Sequence, residues 1–127
     1  MMSREFLFRG KGDKRYNDGV WIYGVPIRDF EGDWQICTDS CKRVVIPETI
    51  GEHTGLTDKN GVKIFEGDIV HFKTTAYHFK NCRIKYQSCY ARYCAIDNKG
   101  YEYPMDKAFV YEVIGNIHDN PEMLREV

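Results

Sequence analysis

Between Lys73 and Tyr93 the chain mixes cations with aromatic rings. Lys73, Lys80, Arg83, Lys85 and Arg92 are interspersed with Tyr77, Phe79, Tyr86, Tyr90 and Tyr93, and no Asp or Glu interrupts the stretch. Such a mixture has the chemistry for a single-stranded nucleic acid, because bases stack on exposed rings while cations track the phosphates. The candidate contacts are Lys73, Lys80, Arg83, Lys85, Tyr86, Tyr90, Arg92 and Tyr93. The competing reading is a half-buried strand pair whose alternation turns the tyrosines to the core and the cations to water. Formal net charge is only −1. The molecule therefore has no broad field drawing it to phosphate or anionic lipid, and any such binding needs a local patch.

Other residue types capable of chemistry are present without the spacing that chemistry demands. Cys37, Cys41, Cys82, Cys89 and Cys94 form an odd set in which C-x3-C occurs once, followed by gaps of six and four. Zinc sites favour tighter pairs, so free thiols are expected rather than a metal site or a disulfide framework. A nucleophilic thiol needs a neighbouring histidine, cation or helix start, and His78 beside Cys82 or Cys89 is the sequence-local candidate. Glu52, Asp58, Glu66 and Asp68 invite an acid–base or metal-carboxylate reading, but Asp58 and Asp68 fall where turns need side-chain oxygens to cap backbone amides. No G-x-S-x-G, P-loop, G-x-G-x-x-G or H-E-x-x-H pattern occurs. The expectation is a non-enzymatic protein without a cofactor.

The elements that must position these residues read as strands. With nine Tyr, seven Phe and two Trp in 127 residues, the composition favours sheets. Glu5–Arg9 fits a short strand broken by Gly10–Lys14. Val20–Val25 follows a turn at Asn17-Asp18-Gly19, with Pro26 suggesting an edge, and Trp34–Thr38 alternates after Glu31-Gly32-Asp33 to complete a hairpin from Val20 to Thr38. Val44–Pro47 is brief. Asn60-Gly61 supplies a type I′ hairpin tip between Leu56-Thr57 and Val62–Phe65, and Glu66-Gly67-Asp68 then turns the chain into Ile69–Phe72.

Cys82, Ile84 and Tyr86 share one strand face and Arg83 and Lys85 the other, with Tyr90–Ile96 as partner strand and a turn at Asp97–Gly100. Tyr101–Tyr103 adds a further strand, and the apolar run Phe109–Ile117 reads as central. Asn120-Pro121-Glu122 carries the signals of a short C-terminal helix. One domain over residues 1–127 is expected, with a soft subdivision near residues 38–55 where apolar periodicity lapses. No apolar run approaches the length of a membrane span, and Met1-Met2-Ser3-Arg4-Glu5 lacks the apolar segment of a signal peptide. A cytoplasmic location with no membrane partner is expected.

The segment Thr54-Gly55-Leu56-Thr57-Asp58-Lys59-Asn60-Gly61-Val62-Lys63-Ile64-Phe65-Glu66-Gly67-Asp68-Ile69-Val70 closely resembles the signature of the YopX family, whose members are encoded largely by phages and prophages of bacteria. Arg4-Glu5-Phe6-Leu7-Phe8-Arg9 with Trp21-Ile22-Tyr23-Gly24, and the closing Val113-Ile114-Gly115-Asn116-Ile117-His118-Asp119-Asn120-Pro121-Glu122, agree with it. The resemblance implies a mainly β fold with an SH3-like barrel portion, beside which stands an additional N-terminal β subdomain. It also implies self-association and a bacterial or phage cytoplasmic setting. It transfers no activity and no site. The expected function is a phage or prophage accessory module that forms homo-oligomers or engages a phage or host protein. Single-stranded nucleic-acid binding through residues 73–93 is the alternative.

Overall fold

The computed structural model describes residues 7–15, 19–75, 78–106 and 109–125. Arg4–Phe6, Asn17-Asp18, Tyr77 and the side chain of His78, all invoked above, lie outside the described residues. Among the described residues eleven strands and two single 3-10 turns follow in chain order. All strand pairing described is antiparallel, and the sheets do not close into a barrel. The chain divides into two compact units, residues 1–53 and 54–127.

In the first unit β1 (Phe8–Lys11), β2 (Trp21–Arg28), β3 (Trp34–Cys37) and β4 (Lys42–Val44) form a meander that a 3-10 turn at Pro47–Thr49 connects to β5 (Gly51–Thr57). β5 crosses the division, its first residues pairing with β1 at Phe8↔Glu52 and Arg9↔Gly51. β1 does not break at Gly10 as its composition suggests. A side chain there would press on Val45 at 3.1 Å, so glycine lets the strand pass close to the segment after β4, where Gly12 bridges Val45. Pro26 lies inside β2, which is flanked by β1 and β3. It stands just past the point where the described pairing changes from β1, at Gly24, to β3, at Val25, so among the described residues it has a strand partner on one side only, as a residue without an N–H requires. Ile22, Ile36 and Val45 form this unit's core, with Trp34 and Ile50 against them.

The second unit contains β6 (Lys63–Phe65) and a five-stranded sheet in the order β10-β9-β8-β7-β11. Its strands are β7 (Asp68–Thr75), β8 (His78–Gln87), β9 (Arg92–Ile96), β10 (Glu102–Pro104) and β11 (Tyr111–Asn116). β8 belongs to two ladders, pairing with β7 up to Arg83 and with β9 from Arg83 onward. Ile64, Val70, Phe72, Cys82, Ile84, Ala95 and Tyr111 make the core. Alternation explains it, since Cys82 and Ile84 point inward on β8 as their spacing requires.

One turn chemistry recurs three times. In Asp29–Asp33, Asp58–Val62 and Asp97–Tyr101 the first residue's N–H donates to the fifth residue's carbonyl and the fourth residue, a glycine, donates back to the first. The aspartate Oδ1 accepts the N–H groups of the third and fifth residues. Gly32, Gly61 and Gly100 take φ of 89°, 81° and 90°. This is a type I turn completed by a left-handed glycine, the three-residue hairpin loop. It corrects the type I′ expectation at Asn60-Gly61, because Asn60 does not adopt a positive φ.

Two further expectations are corrected. β11 is an edge strand, not central. Its apolar run is tolerated because the Asp58 turn covers the open edge: Lys59 N–H donates to Tyr111 O and Val113 N–H to Asp58 Oδ2. The C-terminal helix is a single 3-10 turn, Pro121–Leu124, that Asn120 does not cap. The Asn120 side chain instead accepts the N–H of Asn116.

Candidate functional site

The basic aromatic stretch folds as β8, the turn at residues 88–91, and β9. Register sets which side chains meet. Lys85 faces Cys94, Gln87 faces Arg92 and Tyr86 faces Tyr93, so Lys85, Gln87 and Arg92 share one face of the hairpin and Tyr86 and Tyr93 the other. The rings of Tyr86 and Tyr93 meet edge to face at 5.1 Å. Tyr90 sits in the turn, not on β9 as expected, and is 56% exposed with the Arg92 guanidinium 4.7 Å above its ring. Tyr86 is also exposed, while Tyr93 packs partly against the core.

Lys73 and Lys80 are not part of that group. They face Phe79 and Phe72 at the far end of β8, and six residues of strand, ~20 Å, separate Lys80 from Tyr86. Lys73 lies 5.8 Å from the Phe79 ring, which itself stacks on His71 at 5.1 Å. Lys80 Nζ is 3.8 Å from Oδ2 of Asp97, whose side chain is fully buried. Arg83 stands between the groups, where β8 changes partners. The eight candidates thus resolve into a tip of Lys85, Tyr86, Tyr90, Arg92 and Tyr93, a distant pair, and a partly buried Arg83.

Of the carboxylates proposed for chemistry, Asp58 and Asp68 serve turns and Glu66 holds a β8 amide. Burial pushes the Asp58 carboxyl up, but N–H donors from Val113, Val62 and Asn60 outweigh it and hold the group below its ordinary 3.8. Asp68 Oδ2 accepts the N–H of Phe65 at 2.7 Å, and Glu66 Oε2 accepts that of Tyr86 at 3.0 Å. Among the described residues no three His, Cys, Asp or Glu side chains converge on a metal-sized site. No helix among the described residues is long and apolar enough to cross a membrane.

Two features escaped the sequence. Cys41 has an activating environment: Thr38 Oγ1 lies 3.5 Å and Arg43 Nε 3.3 Å from its sulfur. The Thr38 hydroxyl and the Arg43 guanidinium lower its pKa below the usual 9.0. The C-x3-C spacing drew attention to Cys41 but not to Arg43, two residues on.

The second is the outer face of β2. Trp21, Tyr23, Val25 and Ile27 alternate outward while Ile22 points to the core, leaving Tyr23 and Val25 about half exposed. At the end of the strand Phe30 stands on the Asp29 turn with its side chain wholly in solvent. Beside it lies a cavity of about 230 Å³ lined by Ile27, Arg28, Asp29, Phe30, Gln35 and Lys42.

The family model described as YopX protein matches residues 9–125. Among solved structures, the crystal structure of protein EF1440 from Enterococcus faecalis aligns with a TM-score of 0.55 at 26% identity, covering 97% of this chain and all of that one. Among curated proteins nothing matches.

Proposed function

The chain belongs to the YopX family, and from that premise we propose that it is a non-enzymatic phage or prophage accessory module of the cytoplasm that assembles with copies of itself. The observation that carries this reading is the outward apolar row of β2 ending in a solvent-exposed Phe30 beside its own cavity. Contiguous exposed apolar surface is costly for a monomer and marks an interaction site. The occupant that fits is a second copy, because one patch holds both a knob and a recess. It also holds both charges, acidic at Asp29, Glu31 and Asp33 and basic at Lys42 and Arg43. Under a two-fold operation each sign meets its opposite.

The strand order of the second unit supports the finer reading of it as SH3-like. A four-strand meander, β7 to β10, is followed by a last strand that returns to pair with the first, and the long β8 shares its length between two ladders. Light scattering on the purified chain tests the assembly reading. The wild type is expected above the 14.9 kDa of one chain, with Phe30→Ser reduced toward it at unchanged melting temperature. A wild type that stays at one chain's mass at every concentration contradicts it.

A further inference from the structure

We propose that the tip of the β8–β9 hairpin is a binding site for single-stranded nucleic acid, a site distinct from the self-association surface. Tyr90 is the stacking platform, and Arg92 and Lys85 hold the neighbouring phosphates. Every residue from Ser88 to Arg92 is exposed, and Tyr86 and Tyr90 present 42% and 56% of their surface. A tyrosine serving only the core would be covered, as Tyr111 is.

Charge gives the chemical class. Lys85 and Arg92 project from the same hairpin face, and residues 73–93 contain no carboxylate. The acidic groups that reach the hairpin already accept from neutral donors: Glu66 from the Tyr86 N–H at 3.0 Å and Glu102 from the Gln87 amide at 2.6 Å. Both carboxylates keep their charge beside the hairpin, but among the described residues neither Lys85 nor Arg92 is held in an ion pair, so both cations can turn to a ligand carrying repeated negative charge.

Geometry gives the single strand. Arg92 lies over one face of Tyr90 at 4.7 Å, which orders the ring and leaves its other face for a planar partner. An unstacked base is such a partner, and a duplex hides its base faces. Ala91, the sole non-glycine residue with positive φ among those described, at 52°, lies between Tyr90 and Arg92. Its left-handed backbone is what turns the chain between the two side chains. Duplex binding would instead need phosphates along two strands and offers Tyr90 no role.

The test is fluorescence anisotropy with labelled oligonucleotides of roughly ten nucleotides, within the site sizes of small barrels. They are run as single-stranded DNA, single-stranded RNA and duplex DNA. Saturable binding of either single strand is expected. Its affinity should fall with log–log salt slope about −1.4, from roughly 0.7 per phosphate at Lys85 and Arg92. Tyr90→Ala and Arg92→Ala should each weaken binding at least about fivefold while melting as the wild type does. Lys99→Ala, an exposed cation at the other end of β9, should bind unchanged, and Phe30→Ser should bind regardless of its mass. The proposal is overturned by no binding at low salt, by Tyr90→Ala binding as tightly as the wild type, by an equal loss in Lys99→Ala, or by equal affinity for the duplex.

Discussion

Asp58 Oδ2 accepts the backbone N–H of Val113 at 3.0 Å, across 55 residues of chain. The other oxygen of the same carboxylate holds Asn60 and Val62. One side chain therefore shapes the hairpin tip of the family signature and seals the open edge of β11. Removing it would release three N–H donors and expose an edge at once.

Asp58→Ala should accordingly destabilise the protein by about 3 kcal/mol, the scale of buried donors left without an acceptor. Because Asp58 ionises below its ordinary 3.8 in the folded state, its contribution is present above about pH 4 and lost as pH falls through the depressed value. Chemical denaturation from pH 7 down to pH 3 should show a shallower acid loss in Asp58→Asn than in the wild type. Parallel acid limbs would contradict this.

The Lys80–Asp97 pair gives a second expectation. Among the described residues Asp97 Oδ2 accepts no hydrogen bond and has Lys80 Nζ at 3.8 Å. Lys80→Met leaves a buried carboxylate without that cation and should cost about 2 kcal/mol, less than a fully buried pair because Lys80 is partly solvated. Lys80→Met/Asp97→Asn should recover part of the loss in a double-mutant cycle measured by denaturant titration. A double variant as unstable as the sum of the singles would show that the two side chains are not coupled.

Backbone handedness gives opposite signs at two kinds of turn. Gly61→Val and Gly67→Val place a β-branched residue at φ of 81° and 92° and should each cost about 1–2 kcal/mol. Ala91→Gly relieves a left-handed alanine and should stabilise by about 1 kcal/mol. Melting temperatures that leave all three variants at the wild-type value would remove the argument.

Thiol reactivity separates Cys41 from its neighbours. With its pKa lowered from 9.0 by Thr38 and Arg43, Cys41 should be alkylated by iodoacetamide ahead of Cys37 near neutral pH, as peptide mass mapping would show. Its labelling rate should rise with pH at lower values than an ordinary thiol's. Arg43→Ala should slow it, and equal rates for Cys37 and Cys41 would contradict the assignment.

What the chain revealed in advance was local. Asp-x-x-Gly turns and period-two alternation announce themselves within a few residues, so the hairpins at 29–33, 58–62 and 97–101 and the inward row of Cys82 and Ile84 were readable. Contacts distant in sequence were not. The run 109–117 reads as central because its cover, Asp58, lies far upstream, and Lys80 reads as a free cation because Asp97 reaches it only through the fold. The basic aromatic stretch was half legible: composition located the β8–β9 hairpin, but register alone separates the tip from Lys73 and Lys80. The exposure of Phe30 and the approach of Arg43 to Cys41 depend on side-chain directions that no spacing rule supplies.

Self-association through the β2–β3 end is tested most directly by charge reversal. Glu31→Lys, Lys42→Glu and the double variant, each shown folded, would be compared by light scattering with the wild type across a concentration series. The expected result is a wild type of at least twice the 14.9 kDa chain mass, a lower mass in each single variant, and recovery in the double. Single variants that keep the wild-type mass, or a wild type that is a monomer throughout, would contradict it.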